Sequence, residues 1–290
     1  MSNFALDWLR LRERADLAAR DPGLARRFAA ALPQLSDRPR RLVDLGAGSG
    51  ANTRALLPRI AGDQYWFLID RDRDLLAAQA EEFTLWARRQ GYPIVGGGSR
   101  IRIEPRPAHW QIEAVPLDLA HDLASLAELA ADGIAAAAFF DLVSHAWLGR
   151  FIALLAARRV PLLAALTVDG RREWQPAIAD DALVAAAFAQ HQRRDKGFGP
   201  ALGPDAPAAL QAALTAAGLR VARAASDWRL GLDDRALLAA MIAGEAEAAR
   251  DAAPAMAGRI AAWESSRRRL LDEGRLAMTV GHCDLLALPA

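Results

Sequence analysis

The run Leu42-Val43-Asp44-Leu45-Gly46-Ala47-Gly48-Ser49-Gly50 limits what this chain can fold into more than any other stretch. An apolar strand ends in an acid and breaks into three alternating glycines. Asn52-Thr53-Arg54-Ala55-Leu56-Leu57 then reads as a helix. Glycine permits positive φ and close approach of a ligand to bare backbone, and the following helix begins with unpaired N–H groups. A second apolar run, Trp66 to Ile69, ends in Asp70. That acid comes about 20 residues after the last glycine, a spacing at which a carboxylate reaches ribose hydroxyls. Gly46, Gly48 and Ala51 also satisfy a dinucleotide fingerprint. Asp44 argues against that reading, because a negative charge beside the glycines gains nothing from a pyrophosphate and gains from an ammonium or sulfonium.

With its acid followed by Gly-x-Gly-x-Gly, the stretch resembles the first motif of the class I S-adenosylmethionine (SAM)-dependent methyltransferases. Asp118, after the apolar run Ile112 to Pro116, is a third strand-end acid. The resemblance places its carboxylate, with Leu119, against adenine. It implies SAM as cofactor, with contacts at Asp44, Gly46, Ala47, Gly48, Gly50, Asn52, Asp70, Arg71, Asp118, Leu119 and Ala137. The implied fold class is α/β: a seven-stranded, mostly parallel, doubly wound sheet whose final strand is antiparallel. It covers about residues 40–225 and the last strand.

The remaining chain fits this order. Residues 1–39 are expected as an N-terminal helical extension and 40–290 as the SAM-binding domain, with a helical insertion over about 234–274. Leu75 to Gln90 is amphipathic, Gly96-Gly97-Gly98 reads as a flexible loop, and Ile101-Arg102-Ile103 alternates like an edge strand. Ile134 to Ala137 is the fourth core strand, and Phe139 to Arg158 is expected as one helix. Pro161 to Thr167, Leu219 to Ala224 and Leu276 to Leu288 supply the last three strands.

Composition bounds the function. The formal charge is +1, poor support for a polyanion as partner. The chain also lacks the Asn/Asp-Pro-Pro-Tyr/Phe motif of base methyltransferases after the fourth strand, so no nucleic-acid substrate is expected. Cys283 is the single cysteine and excludes an intrachain disulfide. Met1 to Arg10 carries charge without an apolar signal core, and no apolar run approaches the ~20 residues that span a bilayer. A cytoplasmic protein without membrane contact is expected. Five scattered histidines with one cysteine give no metal-ligand spacing.

Methyl transfer needs alignment above all, and a base only where the acceptor atom arrives protonated. The base candidates are His191, then His145, then Asp141, the last two four apart and so on one helix face. His109 and His282 read as structural or surface residues. The polar stretch His191 to Pro204, with two glycine–proline pairs, is the expected acceptor loop. Its Arg193, Asp195 and Lys196 suggest a small, acidic acceptor. Two other classes stay open: an NAD-dependent oxidoreductase, and a catalytically silent SAM-binding partner subunit, which the alanine-rich fourth strand keeps in view.

Overall fold

The structure is a computed structural model that describes residues 5–290; the first four residues of the expected N-terminal extension lie outside the described residues. The chain opens with α1 (Leu6–Ala19) and α2 (Pro22–Ala31). Asp21 caps α2, its carboxylate accepting the Leu24 amide at 2.6 Å, with Pro22 at the first helical position. There follow β1 (Arg40–Leu45), α3 (Ala51–Leu56), β2 (Gln64–Asp70), α4 (Arg73–Gln90), β3 (Ile94–Gly97), β4 (Arg100–Ile103), β5 (Trp110–Pro116), β6 (Gly133–Ala137), α5 (His145–Arg158) and β7 (Leu162–Gln175). Then come α6 (Asp181–Gln192), α7 (Ala206–Ala216), β8 (Arg220–Ala225), β9 (Trp228–Leu230), α8 (Arg235–Ala252), α9 (Ala257–Asp272) and β10 (Ala277–Leu288).

The strands make one mixed sheet in the order β3-β4-β5-β2-β1-β6-β7-β10-β8, with β9 on β10. β5, β2, β1, β6 and β7 are parallel; β10 runs antiparallel to both β7 and β8. The central strands are nearly continuous apolar runs because helices cover both faces. Leu42, Trp66, Leu68 and Ala135 face one core with Phe28 and Phe83, whereas Val43, Leu45, Ile69 and Ala136 face the other with Trp147 and Phe151.

The sheet has ten strands where seven were expected. Of the glycine stretch read as a loop, Gly96 and Gly97 end β3 and Gly98 begins the turn of the β3–β4 hairpin, which adds two antiparallel strands to the β5 edge. Ile101 to Ile103 is therefore second from the edge. β9 is three residues long and leaves no periodic signal. β7 was expected to stop near Thr167, since charged residues follow. Instead it continues on β10; Arg172 there is buried on Glu245, which also accepts the Trp174 indole N–H at 3.0 Å. α6, α8, α9 and the middle of α1 cover this extension, closing a third core around Trp174, Leu238, Ile242 and Trp263.

The segment after β6 also departs from expectation. Phe140 to Leu142 forms a single 3₁₀ turn, Val143 is extended, and Ser144 caps α5 by accepting the Trp147 amide at 3.2 Å. Asp141 and His145 thus do not share a helix face. Among the described residues no helix is long and apolar enough to cross a membrane.

Candidate functional site

A cleft opens at the carboxyl ends of β1, β2, β5 and β6, where ligands of such sheets bind. Its floor is the glycine loop. Gly46 has φ +62°, and a Cβ there would stand 2.6 Å from the Phe139 ring; Gly50, at φ +83°, would meet the Phe83 ring at 2.6 Å. Only glycine fits both demands. The Gly48 amide donates to Asp70 Oδ2 at 2.8 Å, and the Asp72 amide to Asp70 Oδ1 at 2.9 Å. Burial raises the Asp70 carboxyl while these two donors oppose it. Across the cleft, Asp118 accepts the Ala120 amide at 3.0 Å and meets His121 Nδ1 at 3.1 Å. The Leu119 carbonyl is fixed by the Trp147 indole at 2.6 Å.

Gly46, Ala47, Gly48 and Asn52 line this cleft with Asp70, Arg71, Asp118, Leu119 and Ala137. Gly50 supports the turn from behind. Asp44 is placed differently from its expected contact with an ammonium. It is fully buried and accepts Asn52 Nδ2 at 2.7 Å and Thr53 Oγ1 at 2.8 Å. Burial pushes its carboxyl up to about 6 against those bonds. Its influence reaches the cleft through Asn52, whose Oδ1 accepts Arg20 at 2.8 Å.

The opposite wall comes from α1, part of the expected N-terminal helical extension. Leu9, Arg12 and Asp16 face the cleft along one side of that helix, and Arg20, just past its end, joins them. Arg12 grips Asp16 with two bonds of 2.9 and 3.1 Å and lies 5.0 Å over the Trp228 ring, whose Nε1 donates to Asp16 at 3.0 Å. Beside them His282 is buried and pushed down to about 4, by desolvation first and by Arg12 second. The one available sequence signal was the i, i+4 pairing of Arg12 with Asp16 on a helix of broken amphipathicity.

The expected catalytic and acceptor residues separate. His191 ends α6, 3.5 Å from Asp251, outside the cleft wall, and burial with Lys196 and Arg194 lowers it. His145 is exposed on the first turn of α5, also outside. Arg193 pairs with Asp205 at 3.1 Å, and Asp195 Oδ1 is spent on the amides of Gly197 (2.6 Å) and Gly199 (2.9 Å). Lys196 does line the cleft, its carbonyl accepting Arg71 at 3.2 Å. Phe198 follows, edge-on to Phe139 and Trp147 at 5.7 and 5.5 Å. The loop thus closes over the Arg71 side of the cleft. Asp141 lies between the lining residues Phe139 and Leu142; its Oδ1 is shielded from solvent without any hydrogen-bond donor, and burial pushes the carboxyl up to about 6.

The antiparallel β10 inserted between β7 and β8 decides the sheet class, since a dinucleotide-binding sheet closes on a parallel strand. The chain has the class I methyltransferase fold. No family model matches the sequence, and no curated protein matches it. Among solved structures the chain is similar to a SAM-dependent methyltransferase from Thiobacillus denitrificans in complex with S-adenosyl-L-homocysteine, at 16% identity over 99% of this chain and 100% of that one, TM-score 0.43. It is also similar to a cyclopropane-fatty-acyl-phospholipid synthase-like protein from Lactobacillus casei, at 14% identity over 99% and 94%, TM-score 0.49. A third is a cyclopropane synthase from Mycobacterium tuberculosis, at 12% identity over 91% and 83%, TM-score 0.44.

Proposed function

We propose that the chain is a SAM-dependent methyltransferase acting on a small-molecule acceptor. The observation that carries this reading is the convergence of Gly46 to Gly48, Asp70 and Asp118 on one cleft at successive strand ends. The donor set fits SAM better than a dinucleotide. The Gly48 amide, which would face a pyrophosphate, is occupied by Asp70. Arg20 is half-buried in the cleft wall with Nε lacking a partner, a match for the α-carboxylate of a methionyl group.

When bound, the cofactor supplies an electrophilic methyl group on a sulfonium. Asp70 has lone pairs left for ribose hydroxyls, and Asp118 with Leu119 borders the adenine. Leu9, Phe139 and Phe198 give the cleft apolar walls, which exclude water and hold the acceptor in line; orientation of this kind supplies most of the acceleration. Asp141 replaces His191 as first choice of proton acceptor, because it adjoins the lining residues Phe139 and Leu142 along the chain and its raised carboxyl suits a base near neutral pH. Of the residues expected to hold an acidic acceptor, Arg193 and Asp195 are bound within their own loop and Lys196 alone lines the cleft.

Calorimetric titration with S-adenosylhomocysteine and, in parallel, NADH tests the reading. Micromolar binding of S-adenosylhomocysteine alone, weakened at least tenfold by Asp70→Ala, is expected. Binding of NADH in its place would overturn it.

A further inference from the structure

Four acids line the cleft: Asp16, Asp70, Asp72 and Asp118. Asp70 is held by the amides of Gly48 and Asp72, and Asp72 caps α4 by accepting the Asp74 and Leu75 amides at 3.0 and 3.1 Å. Asp118 stands across the cleft with Ala120 and His121. Near α1, Asp44 is closed off by Asn52 and Thr53, and Asp284 accepts the amides of Asp21 at 2.9 Å and Leu166 at 2.8 Å. Asp16 is the acid that α1 itself presents. Its Oδ1 accepts Trp228 Nε1 at 3.0 Å and Arg12 Nη2 at 3.1 Å, whereas Oδ2 accepts only Arg12 Nε, at 2.9 Å. Each carboxylate oxygen offers about two lone-pair sites, so Oδ2 keeps one for a ligand.

The lining cations are Arg12, Arg20, Arg71 and Lys196, as many as the acids, so placement and not net charge selects what binds where. Arg71 is tied to the Lys196 carbonyl at the 196–198 loop, and Arg12 is engaged with Asp16. Arg20, one turn beyond Asp16, gives Nη1 to Asn52 Oδ1 at 2.8 Å and leaves Nη2 without a partner among the described residues. Burial lowers its guanidinium; Asp16, then Asp284 and Asp44, oppose that, and Arg59 adds to it. Asp16 is the strongest of the opposing charges, yet among the described residues the two form no ion pair. An acid and a cation one turn apart, both on the cleft and not closed on each other, match a ligand that carries an ammonium beside a carboxylate.

We propose that Asp16 and Arg20 together grip the amino-acid head of the cofactor, its ammonium on Asp16 and its carboxylate on Arg20, so that α1 makes the contact expected of the strand-end acid Asp44. This rests on the methyl-transfer reading above, which already gives the carboxylate to Arg20. Arg12 and Trp228 are then positioning residues, because their bonds fix the Asp16 carboxylate toward the cleft.

Calorimetry on the full chain with four ligands tests this: S-adenosylhomocysteine, its deaminated analogue, its decarboxylated analogue, and 5′-methylthioadenosine, which lacks both groups. Wild-type protein should bind S-adenosylhomocysteine at least tenfold more tightly than either single analogue. Asp16→Asn should weaken S-adenosylhomocysteine at least tenfold while changing affinity for the deaminated analogue less than twofold. Arg20→Met should weaken it as much and spare the decarboxylated analogue. Arg59→Met, which alters the cation beside Arg20 but outside the cleft lining, should stay within twofold of wild type. Equal wild-type affinity for S-adenosylhomocysteine and its deaminated analogue overturns the proposal. So does an Asp16→Asn protein that loses both ligands alike, since the acid would then only support Trp228 and Arg12. A tenfold loss in Arg59→Met overturns it too, by moving the carboxylate to Arg59. Should Asp16→Asn fail to fold, Asp16→Glu decides: the displaced carboxylate should change S-adenosylhomocysteine affinity at least threefold and the deaminated analogue less than twofold, and equal changes overturn the proposal. Wild-type protein that binds none of the four ligands defeats the methyltransferase reading instead.

Discussion

The two ends of the cleft are built by different means. The Asp70 end is backbone: glycines at positive φ and amides that fix a carboxylate, contributed by short segments at strand ends. The α1 end is side chain on side chain, with Arg12, Asp16 and Trp228 joined across a separation of 212 residues. Backbone geometry tolerates almost no substitution, because a Cβ either fits or does not. A side-chain cluster fails by degrees, according to what each loss leaves unpaired.

The sharpest way to break this contrast is Gly46→Val. Strain at positive φ and a clash with Phe139 together predict a loss of about 3–5 kcal/mol and no S-adenosylhomocysteine binding. Urea unfolding and calorimetry check both, with Gly97→Val, where no neighbour lies within 4 Å, expected within about 0.5 kcal/mol of wild type. A tolerated Gly46→Val would remove the distinction between the ends.

Next in size is Arg54→Ala. Arg54 joins α3 to α1 through two bonds to Glu13, at 3.1 and 2.7 Å, and one to the Ser49 carbonyl at 2.7 Å. Breaking a pair buried on one side predicts about 2–4 kcal/mol less stability by chemical unfolding. Amide exchange should quicken in α1 and leave β2 unchanged.

Two pH effects of opposite sign come from the α1 end. His282 is lowered in the folded state, to about 4 from 6.5, so stability is lost as pH falls from about 6.5 toward 4 while the unfolded chain takes up the proton. His282→Gln should flatten that limb by about 2–3 kcal/mol in urea midpoints measured at pH 7 and pH 4.5. Asp141 is raised, to about 6 from 3.8, so its ionisation costs stability as pH rises through that window. Relative to wild type, Asp141→Asn should therefore gain stability from pH 4 to pH 7, by about 2 kcal/mol. A constant difference between the two proteins across that range would show that Asp141 is solvated.

The same contrast explains what could be read from the chain. Strand, acid and glycine turn are local patterns, so β1, β2, β5, β6 and the residues lining the cleft beside them were legible, as was the antiparallel β10. Asp44 was legible as a strand-end acid, but its two hydrogen bonds, which turn it away from ligand, were not. β7 was cut short because Val168-Asp169-Gly170 reads as a strand end; Arg172 is buried beyond it because Glu245, on α8, and the Phe188 ring, on α6, lie against it. His191 stood in the most polar stretch, yet its partner is Asp251 on α8, not a ligand. The roles of Arg12, Asp16 and Arg20 depend on β9, β10 and α3 lying beside α1, and no window of neighbouring residues carries that.

Hydrogen–deuterium exchange with and without S-adenosylhomocysteine tests the central claim most directly, because it locates the cofactor on the backbone. The account predicts slowed exchange at residues 46–52, 70–72 and 117–119 and at the 196–198 loop, with the β3–β4 hairpin and α9 unchanged. Binding that leaves the glycine loop unprotected, or that protects the α8–α9 surface instead, would contradict it.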